Sequence, residues 1–266
     1  MLDKSLEAAL AFGIHDIKPV KSSKQLFIGY LEEKDILLKL FSCAKTCLQE
    51  KEALLALSTS VSPNVIYHSI EQPFLVLESI HPGVSLYDVA KKDETSAIEI
   101  FIHLLQRIPK IRATKFAFSP FTNLLSSVEN HSSLSKEILI YAKRVIKKIE
   151  NFPSDSYLIH GNLSLDNILF SQHKGWMCIS PFGLMGNSYV EAAPFLLSTD
   201  STPSLEVLFK RISMLQKHLN LDPSMLKYYA FLRSILDSIW DSEHKEKVHR
   251  FSHIWTEQLL DCMSFH

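Results

Sequence analysis

The sequence has no excess of positive or negative charge, no long apolar run and no basic N-terminal region. Lys and Arg number 28 against 29 Asp and Glu, so the formal net charge is −1 at pH 7. A chain of this kind has no broad basic field that would attract nucleic acid. No run approaches the roughly 20 apolar residues that span a bilayer, and the first residues do not resemble a signal peptide. We therefore expect a cytoplasmic protein that binds neither nucleic acid nor membrane.

Cysteine is also scarce, with four residues, at positions 43, 47, 178 and 262. No second Cys or His pair stands at the spacing of a structural zinc site, so we expect reduced, buried thiols instead. The remaining composition, with 46% hydrophobic and 21% charged residues, is typical of a soluble globular protein. A chain of 266 residues is long enough to bury about three quarters of its surface.

The most informative stretch is 157–186, in which short apolar runs flank a polar loop. The apolar runs before and after the loop predict a pair of β-strands. The loop carries His160, Asn162 and Asn167 with the spacing His-x-Asn-x-x-x-x-Asn. Kinases use the same spacing with Asp in place of the first Asn; that Asp takes the proton of the substrate hydroxyl, and the last Asn holds a magnesium ion.

This stretch resembles the catalytic loop of the aminoglycoside/hydroxyurea phosphotransferase family. The matching runs are His160-Gly161-Asn162-Leu163, Asn167-Ile168-Leu169 and Ile179-Ser180-Pro181-Phe182-Gly183-Leu184-Met185-Gly186. The resemblance implies an α+β, bilobal protein-kinase-like fold. Its small antiparallel β N-lobe would take residues 1–80, and its mainly helical C-lobe would take 81–266. It also implies an O-phosphotransferase that uses ATP with Mg²⁺ on a small hydroxylated molecule.

Two positions depart from the family pattern. Asn162 stands where the family has its catalytic Asp, and Ser180 where it has a metal-binding Asp. An amide side chain cannot take up a proton near neutral pH. Loss of a general base lowers the reaction rate ~100- to 10,000-fold. Magnesium prefers anionic oxygens, so Asn167 and Ser180 are weak metal ligands. Three carboxylates remain as other candidate ligands: Asp166, Glu191 and Asp155.

We expect His160 to hydrogen-bond the loop backbone, with a catalytic role as the alternative. Within the N-lobe the sequence predicts a hairpin from strands 26–31 and 36–41. Lys39 is the single charge in its apolar second strand. Lys39 is either an edge-strand lysine or, by the resemblance, the lysine that contacts the nucleotide phosphates.

A helix at 44–58 offers Glu50 or Glu52 as the partner that aims Lys39, and the family spacing favours Glu50. Strands at 64–69 and 73–78 follow. The resemblance then places a hinge at 78–83, where backbone groups of Glu78 and Ile80 would contact adenine. The loop at 20–24 contains no glycine, so it gives no independent indication of ATP.

The rest of the chain is predicted as helices around the loop. They cover residues 1–16, 85–91, 94–111, 135–149, 189–197, 204–219, 223–240 and 243–263, with a polar connection lacking helical period at 115–134.

Three functions stay open. The chain is a weakly active or inactive kinase-like protein that binds a nucleotide or a protein partner, an active phosphotransferase with a rearranged metal site, or a fold reused for another nucleotide-dependent transfer.

Overall fold

The structure is a computed structural model, and it describes residues 2–20, 23–112, 115–129, 131, 134–199, 202–244 and 251–264. Its first part is an antiparallel sheet with two helices. The elements in chain order are α1 (Leu2–Ala11), β1 (His15–Pro19), β2 (Leu26–Leu31), β3 (Lys34–Leu40), α2 (Ala44–Leu57), β4 (Val65–Ser69) and β5 (Phe74–Glu78). The strands lie in the order β1-β2-β3-β5-β4.

Strand β3 explains why this sheet carries a helix on each face. Side chains alternate across a strand, so Ile36, Leu38 and Leu40 point to one face, where they pack with α1 residues such as Ala9. The opposite face packs against α2, where Leu54 of the helix and Leu75 of β5 belong to one apolar cluster. Lys39 follows the same alternation and therefore lies on the α2 side, facing the helix that carries Glu50.

The second part of the chain is mainly helical. Its elements are β6 (Pro82–Ser85), α3 (Leu86–Ala90), α4 (Glu94–Arg107), α5 (Thr122–Glu129), α6 (Lys136–Glu150), β7 (Tyr157–Ile159), β8 (Ile168–Ser171), β9 (Gly175–Cys178), β10 (Leu184–Gly186), α7 (Ser188–Leu197), α8 (Leu205–Leu219), α9 (Pro223–His244) and α10 (Ser252–Ser264). Most of these elements share one large apolar core. None of the described helices combines the length and the apolar content that a membrane span requires.

The predicted fold class is confirmed, with an antiparallel sheet in the N-terminal part and helices in the C-terminal part. The hairpin of β2 and β3 and the helix α2 also lie where the sequence placed them. The division into lobes near residue 80 stays a prediction.

Several local predictions were wrong. The helix expected at 1–16 ends at Ala11 and is followed by β1, which pairs with β2. The connection 115–134 contains α5, whose buried residues Leu125 and Val128 lie three apart. The two strands around the polar loop do not pair with each other, because β7 pairs with β10 and β8 pairs with β6 and β9.

Candidate active site

The first component of the site is an ion pair between strand β3 and helix α2. The Nζ atom of Lys39 donates to both carboxylate oxygens of Glu50 at 2.7 Å. Glu52, the other candidate, lies beside Lys51 at 2.8 Å. The predicted Lys39–Glu50 pair is therefore present. Burial raises the pKa of the Glu50 carboxyl, and the Lys39 ammonium opposes that rise.

The same ammonium reaches across to the segment that follows β9. The Nζ atom of Lys39 donates to the Oγ atom of Ser180 at 3.0 Å. Ser180 has a φ of +57°, in the left-handed region that few side chains adopt. Lys39 thus joins α2 to the position where the family has its metal-binding Asp.

The polar loop lies next to Ser180 and is connected to it by hydrogen bonds. The Nδ2 atom of Asn167 donates to the backbone oxygen of Asn162 at 2.8 Å, and the Nδ2 atom of Asn162 lies 3.4 Å from the backbone oxygen of Ser180. The backbone N–H of Ile179 donates to the backbone oxygen of Asn167 at 2.9 Å. The structure therefore brings Lys39, Asn162, Asn167 and Ser180 together in one site.

His160 is fully buried behind this site. Its Nδ1 atom accepts the backbone N–H of Asn162 at 3.2 Å, which places the ring proton on Nε2. Burial lowers the pKa of His160 to about 3, so the ring is neutral at pH 7. The backbone oxygen of His160 accepts N–H groups from Phe182 and Gly183. These contacts connect the polar loop to the segment that carries Ser180.

Glu191, on α7, holds the polar loop from the other side. Its two oxygens accept the backbone N–H groups of His160 at 2.9 Å and of Gly161 at 2.8 Å. Burial raises the pKa of this carboxyl to about 7, although the two N–H groups oppose the rise. Because both oxygens are bound to the backbone, Glu191 is not placed to serve as a metal ligand.

The other carboxylates do not complete a magnesium site either. Asp155 is exposed and pairs with Arg112 at 3.0 Å, and Asp166, within the polar loop, is also exposed. Among the described residues, no group of three or more His, Cys, Asp and Glu could hold a metal ion. Two amides and one hydroxyl are a poor donor set for Mg²⁺. The residues present do not fit the metal that the family resemblance implies.

The predicted hinge lies at the end of β5. The backbone N–H of Glu78 donates to the oxygen of Asn64 at 2.9 Å, and its carboxylate pairs with Lys174 in the turn between β8 and β9. The carboxylate of Glu78 is therefore engaged within the protein. The adenine contacts of Glu78 and Ile80 stay predictions.

Two further residues at the site were not predicted from the sequence. Arg233, on α9, donates to the backbone oxygen of Gly161 at 2.9 Å. Gln49, on α2, donates to the backbone oxygens of Phe182 at 2.8 Å and Gly183 at 3.0 Å. In both cases the side chain binds backbone atoms that are distant from it in the sequence, so no local sequence pattern predicts the contact.

Comparison with known proteins supplies the family. The sequence model of the aminoglycoside/hydroxyurea antibiotic resistance kinases matches residues 32–244, which is most of the chain. The chain belongs to this family. No curated protein sequence matches it.

Solved structures with the same fold are similar along nearly their whole length. The choline kinase LicA from Streptococcus pneumoniae has 14% identity and a TM-score of 0.73, with 99% of this chain and 98% of that chain covered. A choline/ethanolamine kinase family protein from Mesorhizobium loti has 12% identity and a TM-score of 0.70, with 99% and 95% covered. Aminoglycoside phosphotransferase APH(4)-Ia has 14% identity and a TM-score of 0.70, with 97% and 98% covered.

Two of these kinases have been crystallised with nucleotides. LicA was crystallised with AMP, and a thermostable mutant of APH(4)-Ia was crystallised with AMP-PNP and hygromycin B. At such low identity the similarity concerns the fold. This family member has the same arrangement of sheet and helices as these kinases.

Proposed function

We propose that this family member binds the phosphates of a nucleotide without a divalent cation and transfers phosphoryl groups very slowly or not at all. The observation that carries the proposal is the environment of Lys39. Its ammonium is held by Glu50 and by the hydroxyl of Ser180, in a site where Asn162 and Asn167 supply only neutral groups.

The charges at the site favour the binding of nucleotide phosphates without magnesium. In an active kinase, metal-binding carboxylates repel a phosphate that carries no magnesium, and magnesium ions neutralise the charge. Here Ser180 replaces the metal-binding acid of the family and Asn162 replaces its catalytic acid, so both positions are neutral, and the Lys39 ammonium remains. The Ser180 hydroxyl can also donate a hydrogen bond to a phosphate oxygen. The nucleotide complexes of LicA and APH(4)-Ia support a nucleotide as the ligand.

The same replacements argue against efficient phosphoryl transfer. The reaction needs alignment, neutralisation of phosphate charge and a group that orients the attacking hydroxyl. Asn162 cannot take the hydroxyl proton, and neither Glu191 nor Asp155 lies free to replace it. We expect turnover to be reduced at least ~100- to 10,000-fold, as for the loss of a general base.

Calorimetric titration of ATP and of AMP-PNP, in magnesium and in EDTA, tests the binding part. We expect the same dissociation constant in both buffers, and a loss of binding in Lys39→Met. The matched control is Lys45→Met, which removes an exposed lysine on α2 and leaves binding unchanged. Absence of binding in both buffers, or binding only with magnesium, overturns the proposal.

A sensitive assay of ATP consumption over a panel of aminoglycosides, choline and nucleosides tests the catalytic part. We expect turnover at least ~100-fold below the ~1–100 s⁻¹ typical of kinases, and none faster in Lys39→Met. Metal-dependent turnover at a rate ordinary for a kinase would establish the alternative, an active enzyme with a rearranged metal site.

A further inference from the structure

Helix α9 places a buried arginine directly against the residue in the catalytic-base position. Arg233 is 9% exposed. Its Nη1 atom donates to the backbone oxygen of Gly161 at 2.9 Å, and its Nε atom to Asp237 at 2.7 Å. Its Nη2 atom lies 3.5 Å from the side-chain oxygen of Asn162. Three separate contacts fix the guanidinium, so it is a rigid neighbour for the amide.

The two neighbours of the Asn162 amide determine which way the amide faces. A guanidinium has only donors, so the atom that faces Arg233 must be the oxygen. The backbone oxygen of Ser180 only accepts, so the atom 3.4 Å from it must be the nitrogen. Turning the amide by half a turn would set donor against donor and acceptor against acceptor. The orientation therefore follows from the chemistry of Arg233 and Ser180.

This orientation changes what the site offers to a ligand. The oxygen of Asn162 is engaged by Arg233, whereas the second N–H of its amide has no acceptor among the residues that the structure describes. Asn162 is only half-buried, and this N–H is the part of its amide that no described residue binds. The family has a carboxylate here, which accepts hydrogen bonds. In this chain the same position donates.

An exposed aromatic ring lies beside the guanidinium of Arg233. Phe182 is 47% exposed, and the guanidinium carbon of Arg233 lies 5.7 Å from its ring centroid. A second cation that approached this ring would be repelled by the guanidinium. An apolar or aromatic group could pack on Phe182 while its carboxylate accepts from Asn162.

We propose that Arg233 fixes the Asn162 amide with its N–H group towards the cleft, so that this side of the cleft binds a small carboxylate with an apolar or aromatic body. Cationic ligands would be disfavoured. The inference rests on the proposed function only in taking the cleft as a ligand site. Arg233 is a positioning residue, because it acts through Asn162.

Nuclear magnetic resonance with isotopically labelled asparagine tests this proposal on the whole chain. The side-chain N–H₂ signal of Asn162 is identified by its disappearance in Asn162→Asp. Benzoate, benzyl alcohol and benzylammonium have nearly the same shape and serve as matched probes. We expect the Asn162 signal to shift saturably with benzoate, with a dissociation constant about tenfold below that of benzylammonium, which corresponds to about 1.4 kcal/mol. Equal binding, tighter benzylammonium or no shift with any probe overturns the proposal.

Variants separate positioning from mere support of the fold. Arg233→Gln should abolish the preference for benzoate, and Arg233→Lys, which keeps the donor and the charge, should restore part of it. If both arginine variants fail to fold, Asn162→Asp, which keeps the size of the side chain, should lose benzoate and gain benzylammonium. An unchanged preference in that variant overturns the proposal. Because the titrations contain no nucleotide, a failure to bind ATP would leave this result intact, and the reverse also holds.

Discussion

The ammonium of Lys39 donates to the hydroxyl of Ser180 at 3.0 Å while both oxygens of Glu50 hold it at 2.7 Å. Ser180 thus occupies the place where the family has a carboxylate, and it touches the lysine predicted to contact phosphate. Because this hydroxyl is neutral, Glu50 is the only carboxylate paired with the Lys39 ammonium among the residues that the structure describes. This relationship connects the sequence departure at position 180 with the expected loss of magnesium dependence.

Ser180→Asp should return magnesium dependence to nucleotide binding. Asp tolerates the left-handed backbone at position 180 better than most residues, and it adds an anionic oxygen near Asn167. We expect magnesium to tighten ATP binding about tenfold in this variant and not in the natural chain. Calorimetric titration in magnesium and in EDTA measures the difference. Ser180→Asn is the control with the same shape and no charge, and an equal magnesium effect in that control would contradict the prediction.

Lys39→Met should destabilise the fold because it leaves Glu50 buried without its partner. Removal of one member of a buried ion pair costs about 3 kcal/mol, and we expect a loss of this size at pH 7. The loss should shrink at pH 5, because an unpaired buried carboxyl has a still higher pKa and takes up a proton. Unfolding in urea measures both values.

The double variant Lys39→Met/Glu50→Gln should recover much of that stability, since it buries no charge. Glu52→Gln is the control on the same helix and should cost little, because that carboxylate is partly exposed beside Lys51. If Lys39→Met lowers the free energy of unfolding no more than Glu52→Gln does, the Lys39–Glu50 pair contributes nothing to stability.

The sequence predicted the elements whose patterns are local. Strand β3 alternates apolar residues around Lys39, and helix α2 places Glu50 at the family spacing, so the ion pair could be expected before the structure. The motif spacing likewise brought Asn162, Asn167 and Ser180 into one site.

What the sequence could not predict depends on contacts between distant segments. Arg233 reaches Gly161 from 72 positions away, and its role follows from how α9 packs, not from any pattern in α9. Strand β7 has three residues, too few to indicate a partner, and it pairs with β10 instead of β8. Helix α5 was missed because polar Ser and Asn residues obscure its short apolar face.

Glu191 should make the stability of the fold depend on pH. Its carboxyl has a pKa of about 7 in the folded chain, against 4.5 for the ordinary value. The folded state therefore binds this proton more tightly than the unfolded state does. The resulting stability is complete below pH 4.5 and is lost as the pH rises through 7.

Comparison with Glu191→Gln isolates this contribution from other titrating groups. We expect the stability of the natural chain relative to the variant to fall by roughly 3 kcal/mol between pH 4.5 and 7. Urea unfolding at several pH values gives the difference. Asp155→Asn, at an exposed carboxylate, should show no such slope. A difference that stays constant or rises over this range would mean that folding does not raise the pKa of Glu191.

Gly183→Ala should disturb the site more than a matched substitution elsewhere. Both Gly183, with φ +66°, and Gly175, with φ +74°, have left-handed backbones, so an alanine at either is strained by about 1 kcal/mol. At Gly183 the added Cβ would also lie 2.8 Å from the Cβ of Ala53 and 2.8 Å from the ring of Phe118. At Gly175 no atom of the described residues, apart from the two chain neighbours, would lie within 4 Å of the added Cβ.

The crowding at Gly183 adds roughly 1–3 kcal/mol to the strain, and it acts on α2, because Ala53 is three residues from Glu50 on that helix. We therefore expect Gly183→Ala to weaken nucleotide binding as well as stability, whereas Gly175→Ala lowers stability slightly and leaves binding unchanged. Urea unfolding and ATP titration of both variants measure the two effects. Equal losses of stability, or unchanged ATP binding in Gly183→Ala, would show that the segment after Ser180 can move without shifting the Lys39–Glu50 pair.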